Sequence, residues 1–203
     1  MRLAELIAGL PISLDAGAPE TLAVTGVAHD SRTVAPGDLF VAIPGARHDG
    51  RAFAAAAVER GAVAVLGAGS ALEGMTVPWL TTADPRALLG PLAARVYGHP
   101  DREMLLVGVT GTNGKSTVAT LLAAVIGEAT GKPAGKSAGF IGTLGYRLGG
   151  RPFPGDRTTP EASDLFRILR QMREQGAAGV AMEVSSHALD LHRVDGVSFD
   201  VGV

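Results

Sequence analysis

One stretch of the sequence, residues 105–130, constrains the fold more than any other. Residues 105–110 are apolar and predict a buried strand, which runs through a glycine loop into Lys115, Ser116 and a long apolar helix. Backbone N–H groups at the start of such a helix face an anion, and the helix dipole favours negative charge there. This order predicts a phosphate-binding loop in a parallel α/β fold. The alternative, an ordinary strand-turn-helix with a solvated lysine, explains fewer of these features.

The predicted loop comprises seven residues, which are Gly111, Thr112, Asn113, Gly114, Lys115, Ser116 and Thr117. Lys115 would reach the β and γ phosphates of a bound nucleotide, and the Ser116 hydroxyl would bind Mg²⁺. The spacing departs from the common phosphate-loop pattern because Val109 stands where that pattern has its first glycine. We expect Lys115 to be a catalytic residue that acts on a nucleotide phosphate, with Mg²⁺ as a cofactor.

Strands and helices alternate along the chain, which predicts α/β architecture with parallel sheets. Strands are predicted at residues 24–28, 39–43, 62–66, 79–82, 104–110 and 179–184, and a strand or a hairpin arm at 139–148. Helices are predicted at 1–10, 52–60, 85–97, 116–130 and 161–175. The alternation is interrupted at residues 98–101, so we expect a small domain at 1–98 and a second at 103–203. The second is expected to be an incomplete parallel-sheet ATPase domain, because residues 198–203 open a strand that no helix covers.

Composition excludes several other classes of protein. The net charge of −2 and the 4% of aromatic residues count against a nucleic-acid partner. No apolar run approaches the roughly 18 residues of a membrane-spanning helix, and no signal-like segment opens the chain. The absence of cysteine excludes thiolate metal sites and cysteine nucleophiles. We expect a cytoplasmic protein without a nucleic-acid partner and without membrane insertion.

Polar residues lie at two further positions of chemical interest in the second half of the chain. Glu183 ends an apolar strand, where open α/β sheets place ligand groups, and its carboxylate suits Mg²⁺. A hydrogen bond that the Glu183 carboxylate accepts from a neighbouring loop explains the same position equally well. Thr158 and Thr159 precede a predicted helix, and their spacing alone favours a plain helix cap with Pro160 in the first turn.

Together these segments are collinear with the motifs of a known family. The segments are Asp30-Ser31-Arg32, 36–42, Asp49-Gly50-Arg51 with Phe53, Tyr97-Gly98-His99-Pro100, 109–115, 142–145, 158–161, and 183–189 with Arg193 and Val194. Over nearly all 203 residues the pattern resembles the Mur ligases of peptidoglycan synthesis, most closely those that add the third residue of the stem peptide. That family uses the short Gly-Thr-Asn-Gly-Lys loop, which accounts for the departure at Val109.

The resemblance implies roles for individual residues. Residues 111–117 would bind ATP, and Ser116 and Glu183 would hold Mg²⁺. The uridine nucleotide would contact His29, Ser31, Ala46, Arg47 and His48, although the spacing of these loops alone favours solvated turns. The UDP-muramoyl-dipeptide would contact Thr158, Thr159, Ser185, Leu191 and Arg193. Many relatives carry a polar residue where this chain has Leu191, so we expect no side-chain hydrogen bond there.

The implied activity is ATP-dependent amide bond formation. The γ-phosphoryl group of ATP would convert the D-glutamate of UDP-N-acetylmuramoyl-L-alanyl-D-glutamate to an acyl phosphate, and the amine of diaminopimelate or L-lysine would attack it. The carbamylated lysine and the C-terminal amine-binding domain of the family have no counterpart within residues 1–203. We therefore expect this chain to be a monomeric, truncated and inactive fragment of such a ligase.

Two other functions stay open on the sequence. Another amide ligase on the same ATPase core, of the cyanophycin-synthetase or folylpolyglutamate-synthase type, would share the phosphate loop. The segment Asp30-Ser31-Arg32 suits a UDP ligand and argues against that alternative. A non-catalytic module that binds a UDP-sugar would share the first half of the chain, and UDP binding measured with and without ATP hydrolysis separates these alternatives.

Overall fold

The computed structural model describes residues 1–14, 21–45, 49–129, 138–155 and 157–203. The chain divides into two compact units, Met1–Val96 and Tyr97–Val203, and each is built around a sheet of its own. The predicted α/β class is confirmed. Within the described ranges, no helix has both the length and the apolar character needed to cross a bilayer.

A five-stranded sheet organises the first unit. Its strands are β1 (Ser13–Leu14), β2 (Gly26–Ala28), β3 (Asp38–Val41), β4 (Ala64–Gly67) and β5 (Trp79–Thr81), in the spatial order β1-β5-β4-β3-β2. Strands β2 to β5 run parallel to their neighbours, and β1 runs antiparallel to β5. The parallel pairing brings the carboxyl ends of β2 to β5 to one edge of the sheet.

The helices of the first unit cover this sheet with small and branched apolar residues. They are α1 (Leu3–Ile7), α2 (Ala54–Glu59) and α3 (Pro85–Val96). Pro85 opens α3, where its fixed φ and missing N–H are tolerated. Leu88 and Leu92 are buried one helical turn apart, and Phe40 and Trp79 fill the core between sheet and α2.

A six-stranded sheet organises the second unit. Its strands are β6 (Leu105–Val109), β7 (Ala138–Gly142), β8 (Gly145–Leu148), β9 (Arg151–Phe153), β10 (Gly179–Glu183) and β11 (Val201–Gly202), in the order β11-β6-β10-β7-β8-β9. The first four strands of that order are parallel, and β7, β8 and β9 form an antiparallel meander. Strand β10 therefore inserts between β6 and β7, which precede it in the chain.

Helices cover both faces of this second sheet. They are α4 (Lys115–Ala129), α5 (Ala162–Glu174) and the short α6 (Ser186–Asp190). Alternate residues of a strand point to opposite faces. Ala181 accordingly packs with the cluster that includes residues of α4, whereas Val180 and Met182 pack with Leu165 and other residues of α5. Burial on both faces explains why β10 is apolar without interruption until Glu183.

Most predicted elements differ from those observed by one or two residues at an end, and three differ more. The helix predicted at 52–60 begins as a 3₁₀ turn, Gly50–Phe53, because the Asp49 carboxylate accepts a 3.0 Å hydrogen bond from the Arg51 N–H. The segment 139–148, predicted as a strand or a hairpin arm, contains two strands, β7 and β8, which pair as a hairpin. The helix predicted at 1–10 ends at Ile7.

Candidate functional site

The carboxyl ends of three parallel strands meet at one edge of the second sheet. Val109 at the end of β6 lies opposite Glu183 at the end of β10. On the other side of β10, Met182 lies opposite Ile141 of β7. The segments that follow these strands therefore emerge side by side, in the position where open α/β sheets bind ligands.

The loop between β6 and α4 has the geometry of a phosphate-binding loop. Gly111 and Gly114 have φ angles of 136° and 80°, a region that favours glycine. The first hydrogen bond of α4 runs from the Val118 N–H to the Gly114 carbonyl at 2.9 Å. The N–H groups of Lys115, Ser116 and Thr117 belong to the first turn of α4, where N–H groups lack intrahelical partners and can bind an anion.

The ammonium group of Lys115 is folded back onto this loop. Its Nζ donates a 2.7 Å hydrogen bond to the Gly111 carbonyl. Thr112 and Asn113 are exposed, whereas Lys115 and Ser116 are half-buried at the start of α4. The fold therefore holds a positive charge and a hydroxyl beside free N–H donors, which suits the phosphates of a nucleotide.

A buried carboxylate lies beside this loop at the end of β10. Glu183 is 1% exposed. Its Oε1 accepts a 2.9 Å hydrogen bond from the Thr143 N–H, and its Oε2 accepts a 3.2 Å hydrogen bond from the Thr143 hydroxyl. The loop hydrogen bond that the sequence left open is thus present. A Cβ at Gly142 would lie 2.3 Å from Oε1, so this position must be glycine for the carboxylate to lie here.

The surroundings of Glu183 fit a divalent cation. A buried carboxylate requires a compensating charge. In the part of the chain that the structure describes, Glu183 forms no ion pair with a lysine, arginine or histidine. Nor do the described residues contain a cluster of three or more metal-ligating side chains. A single carboxylate with a hydroxyl and phosphate oxygens is a usual environment of Mg²⁺, so Glu183 and Ser116 are suitable protein ligands.

Thr159 connects the segment before α5 to the end of β10. Its hydroxyl donates a 2.9 Å hydrogen bond to the Glu183 carbonyl and accepts a 3.2 Å hydrogen bond from the Ser185 N–H. The residue that caps α5 is Glu161, and the helix begins at Ala162. The helix-cap interpretation of Thr158 and Thr159 is therefore wrong, and Pro160 precedes the helix instead of lying in its first turn.

Two arginines converge on the carboxylate of Glu161. A terminal guanidinium nitrogen of Arg157 lies 2.7 Å from the Glu161 Oε1. The Nε of Arg193 lies 3.0 Å from the same oxygen. Arg193 also donates a 3.3 Å hydrogen bond to the Thr159 carbonyl. The Arg193 side chain is 13% exposed and Glu161 is 9% exposed, so this ion pair is largely shielded from solvent.

The short helix α6 positions the remaining predicted residues of the second unit. Ser185 caps α6, since its side chain accepts a 3.1 Å hydrogen bond from the Ala188 N–H. Leu191 lies at the other end of α6 and is half-buried. The structure thus brings Thr158, Thr159, Ser185 and Arg193 into one connected region at the carboxyl edge of the sheet.

In the first unit, the predicted uridine-site residues follow β2. His29 is half-buried, and Ser31 is 9% exposed. Between them, hydrogen bonds from the Arg32 guanidinium lower the pKa of the Asp30 carboxyl to about 2. Three further predicted contacts, Ala46, Arg47 and His48, lie outside the described residues.

Thr143 contacts the site, although the sequence alone indicated no role for it. It lies in the turn between β7 and β8 and reaches both oxygens of Glu183. Its hydroxyl also lies 3.0 Å from the Thr158 hydroxyl. The available signal was its position directly after a buried strand that ends in Gly142, within the segment 142–145 that carries the family resemblance.

Comparison with known proteins gives two successive family matches. The model described as "Mur ligase family, catalytic domain" matches residues 23–97, and the model described as "Mur ligase middle domain" matches residues 109–203. The chain is 47% identical over 204 residues to the UDP-N-acetylmuramoyl-L-alanyl-D-glutamate–2,6-diaminopimelate ligase of Streptomyces coelicolor, covering 99% of this chain and 38% of that relative. It is 45% identical over 209 residues to the UDP-N-acetylmuramyl-tripeptide synthetase of Deinococcus radiodurans, covering 100% and 41%.

A solved structure agrees with these matches. The chain superimposes on a UDP-N-acetylmuramoyl-L-alanyl-D-glutamate–2,6-diaminopimelate ligase with a TM-score of 0.79 at 28% identity, covering all of this chain and 39% of that one. The chain thus spans about two fifths of the length of the relatives that it matches. The phosphate loop of β6 and α4, the buried Glu183 beside it and the matches to both domains agree with one another, and they place this chain in the Mur ligase family.

Proposed function

We propose that this chain supplies the nucleotide and UDP-sugar sites of an ATP-dependent amide ligase of cytoplasmic peptidoglycan precursor synthesis. Its substrate would be UDP-N-acetylmuramoyl-L-alanyl-D-glutamate, and the amino acid added would be meso-diaminopimelate or L-lysine. The two units would correspond to a UDP-sugar-binding domain at 1–98 and the first part of a central ATP-binding domain at 103–203, in a monomeric protein. The names of the relatives support this choice of substrate.

One observation carries the proposal more than any other. The register of β6 and β10 places the phosphate loop beside a buried carboxylate that has no cationic partner among the described residues. A nucleotide phosphate held by the loop would thus lie next to a group suited to Mg²⁺. Burying the Glu183 carboxylate costs desolvation free energy, and simple phosphate binding does not require it. Phosphoryl transfer, in contrast, benefits from a positioned cation.

The residues of the chain would contribute mainly by positioning and by charge neutralisation. Lys115 would exchange its hydrogen bond with the Gly111 carbonyl for the β and γ phosphates of ATP. The N–H groups at the start of α4 would hold the phosphates as transfer proceeds. Mg²⁺ held by Ser116 and Glu183 would neutralise charge on the transferring phosphoryl group.

The dipeptide would bind beside the segment before α5, which the Thr159 hydrogen bonds connect to the end of β10. Thr158, Thr159, Ser185, Leu191 and Arg193 are the proposed contacts. Arg193 is oriented by Glu161 and by the Thr159 carbonyl, so its guanidinium is preorganised to bind a carboxylate. The γ-carboxylate of D-glutamate would take the γ-phosphoryl group of ATP and form an acyl phosphate and ADP. Attack by the amine of the incoming amino acid would then release phosphate.

The uridine end would bind the first unit. Ser31 and His29 follow β2 at the carboxyl edge of the first sheet, and they are the proposed uridine contacts together with Ala46, Arg47 and His48. This assignment distinguishes the proposed ligase from other amide ligases on the same core. UDP should therefore compete with the UDP-sugar for this chain, and ADP should not.

A chimera tests the proposed reaction. Residues 1–203 replace the matching segment of the Streptomyces coelicolor relative, and the product is measured by mass spectrometry after incubation with ATP, the UDP-muramoyl-dipeptide and either diaminopimelate or L-lysine. We expect a UDP-muramoyl-tripeptide, ADP and phosphate in equal amounts. The matched control is the same chimera with Lys115→Ala, which should fold but form no product. A folded chimera that binds both substrates without forming the amide would contradict the proposal.

A further inference from the structure

The turn between β7 and β8 carries a residue with an unassigned function. Thr143 is exposed, yet it supplies the only side-chain hydrogen bond that the described residues make to the buried carboxylate of Glu183. Its N–H group binds Oε1 and its hydroxyl binds Oε2, at 2.9 Å and 3.2 Å. Two bonds from one residue to two oxygens of one carboxylate fix both the position and the rotation of that group.

The direction of the hydrogen bonds can be worked out from the chemistry. A hydroxyl has one proton, and an ionised carboxylate only accepts. Thr143 therefore donates its proton to Glu183, and its oxygen accepts from the Thr158 hydroxyl at 3.0 Å. The chain of donors runs from Thr158 through Thr143 to Glu183. It connects a proposed dipeptide contact to a proposed magnesium ligand.

The local backbone is adapted to this arrangement. Thr143 follows Gly142, where a Cβ would lie 2.3 Å from the Glu183 Oε1 and 2.7 Å from the Phe140 ring. The absence of a side chain at this position lets the carboxylate reach the N–H of Thr143. A generic turn residue would need neither this close approach nor the second bond from a hydroxyl.

We propose that Thr143 is a positioning residue that holds the Glu183 carboxylate in the orientation required to bind Mg²⁺ with the nucleotide. This inference rests on the proposed function, because it takes Glu183 as a magnesium ligand. Outer-shell hydrogen bonds of this kind orient metal-binding groups, and their removal typically lowers metal affinity roughly 10- to 100-fold. The side chain of Thr143 acts through Glu183 and does not itself touch the cation.

The test measures the ATP affinity of each variant by calorimetry, once with Mg²⁺ and once with a chelator. The affinity with Mg²⁺ divided by the affinity with chelator is called the magnesium ratio. The variants are Thr143→Val, which removes the hydroxyl at nearly constant shape, Thr143→Ser, which restores it, and Glu183→Gln. Thr120→Val, at an exposed threonine of α4, is the matched control. We expect Thr143→Val to lower the magnesium ratio about tenfold or more. Thr143→Ser and Thr120→Val should keep it, and ATP affinity in chelator should be the same throughout.

Each other outcome has a distinct meaning. If Glu183→Gln abolishes the magnesium ratio and Thr143→Val keeps it, the positioning role is overturned while the proposed function stands. If Glu183→Gln leaves the ratio unchanged, Glu183 is not a magnesium ligand, and both the positioning role and that part of the proposed function fail. Thr143→Ala serves as a second truncation should the valine variant lose its cooperative thermal unfolding. An equal loss in Thr143→Ser would also overturn the proposal, because the hydroxyl would then not be the active group.

Discussion

The hydroxyl of Thr159 donates a 2.9 Å hydrogen bond to the main-chain carbonyl of Glu183, across 24 residues of sequence. The same oxygen accepts a hydrogen bond from the Ser185 N–H, so one buried hydroxyl connects the segment before α5 to the last residue of β10 and to the cap of α6. Thr159 thereby sets the position of Thr158 on one side and of the α6 cap on the other. The geometry of the site depends on this contact.

Replacing Thr159 with valine should therefore destabilise the second unit. The variant leaves a buried carbonyl and an N–H group unpaired, which costs about 1–3 kcal/mol for such groups. Chemical denaturation followed by far-ultraviolet circular dichroism measures the loss. Thr158→Val is the matched control, because Thr158 is half-buried and its hydroxyl pairs, among the described residues, only with that of the exposed Thr143. Equal stability of the two variants would show that the Thr159 bonds contribute little.

Adding one methyl group at Gly142 should disrupt the candidate magnesium site. The Cβ of Gly142→Ala would lie 2.3 Å from the Glu183 Oε1, so the carboxylate or the strand must shift. Overpacking of this kind costs about 1–3 kcal/mol, and the displaced carboxylate should lose its contribution to nucleotide binding in Mg²⁺. Gly202→Ala, where a Cβ meets open space, should be within about 0.5 kcal/mol of the parent chain. Thermal unfolding and ATP titration of both variants provide the comparison.

Neutralising Glu161 alone should lower the free energy of unfolding more than removing both charges of its ion pair with Arg193. Glu161→Gln leaves the largely buried Arg193 guanidinium without its carboxylate, and breaking such a pair costs about 3–5 kcal/mol. The double variant Glu161→Gln with Arg193→Gln removes both charges and should recover part of that loss. A double-mutant cycle on urea denaturation gives the coupling energy. Strictly additive effects would indicate that the two side chains do not interact.

Acid should remove one stabilising contact of the first unit. The Arg32 guanidinium lowers the pKa of Asp30 from 3.8 to about 2, so the folded chain binds its proton less tightly than the unfolded chain. Stability from this pair is therefore present above about pH 4 and is lost as the pH falls toward 2. Because Arg32 is exposed and its ion pair is screened by solvent, we expect Arg32→Gln to lower the stability at pH 7 only slightly. A difference between parent and variant that stays constant from pH 7 to pH 3 would contradict this explanation.

The elements that position the site were largely predictable from the sequence. The order of strand, glycine loop, Lys115 and apolar helix requires local contacts only, and the structure has β6 and α4 within one residue or so of the predicted bounds. The continuous apolar run that ends in Glu183 predicted a strand buried on both faces, as β10 is. Such patterns depend on the spacing of apolar residues along the chain and on helix propensity, both of which can be read from the sequence.

The interactions between distant segments were not predictable in the same way. A threonine before a helix is most often a cap, yet Thr159 bonds to β10, because the chain turns at Pro160 and α5 begins only at Ala162. Thr143 meets Glu183 only because β10 inserts beside β7, a matter of sheet order that local propensity does not encode. The convergence of Arg157 and Arg193 on Glu161 likewise depends on segments more than thirty residues apart.

Calorimetric titration of ATP with Mg²⁺ into the parent chain and into Lys115→Ala tests the central claim most directly. Lys115 makes one described side-chain hydrogen bond, to the Gly111 carbonyl on the exposed loop, so the variant should keep the thermal stability of the parent. We expect saturable ATP binding by the parent and a 10- to 100-fold weaker affinity in the variant, since hydrogen bonds to charged groups contribute about 1.5–3 kcal/mol. Binding of the UDP-muramoyl-dipeptide should be unchanged. Equal ATP affinity of the two proteins, or no ATP binding by the folded parent, would contradict the assignment of this loop as the nucleotide site.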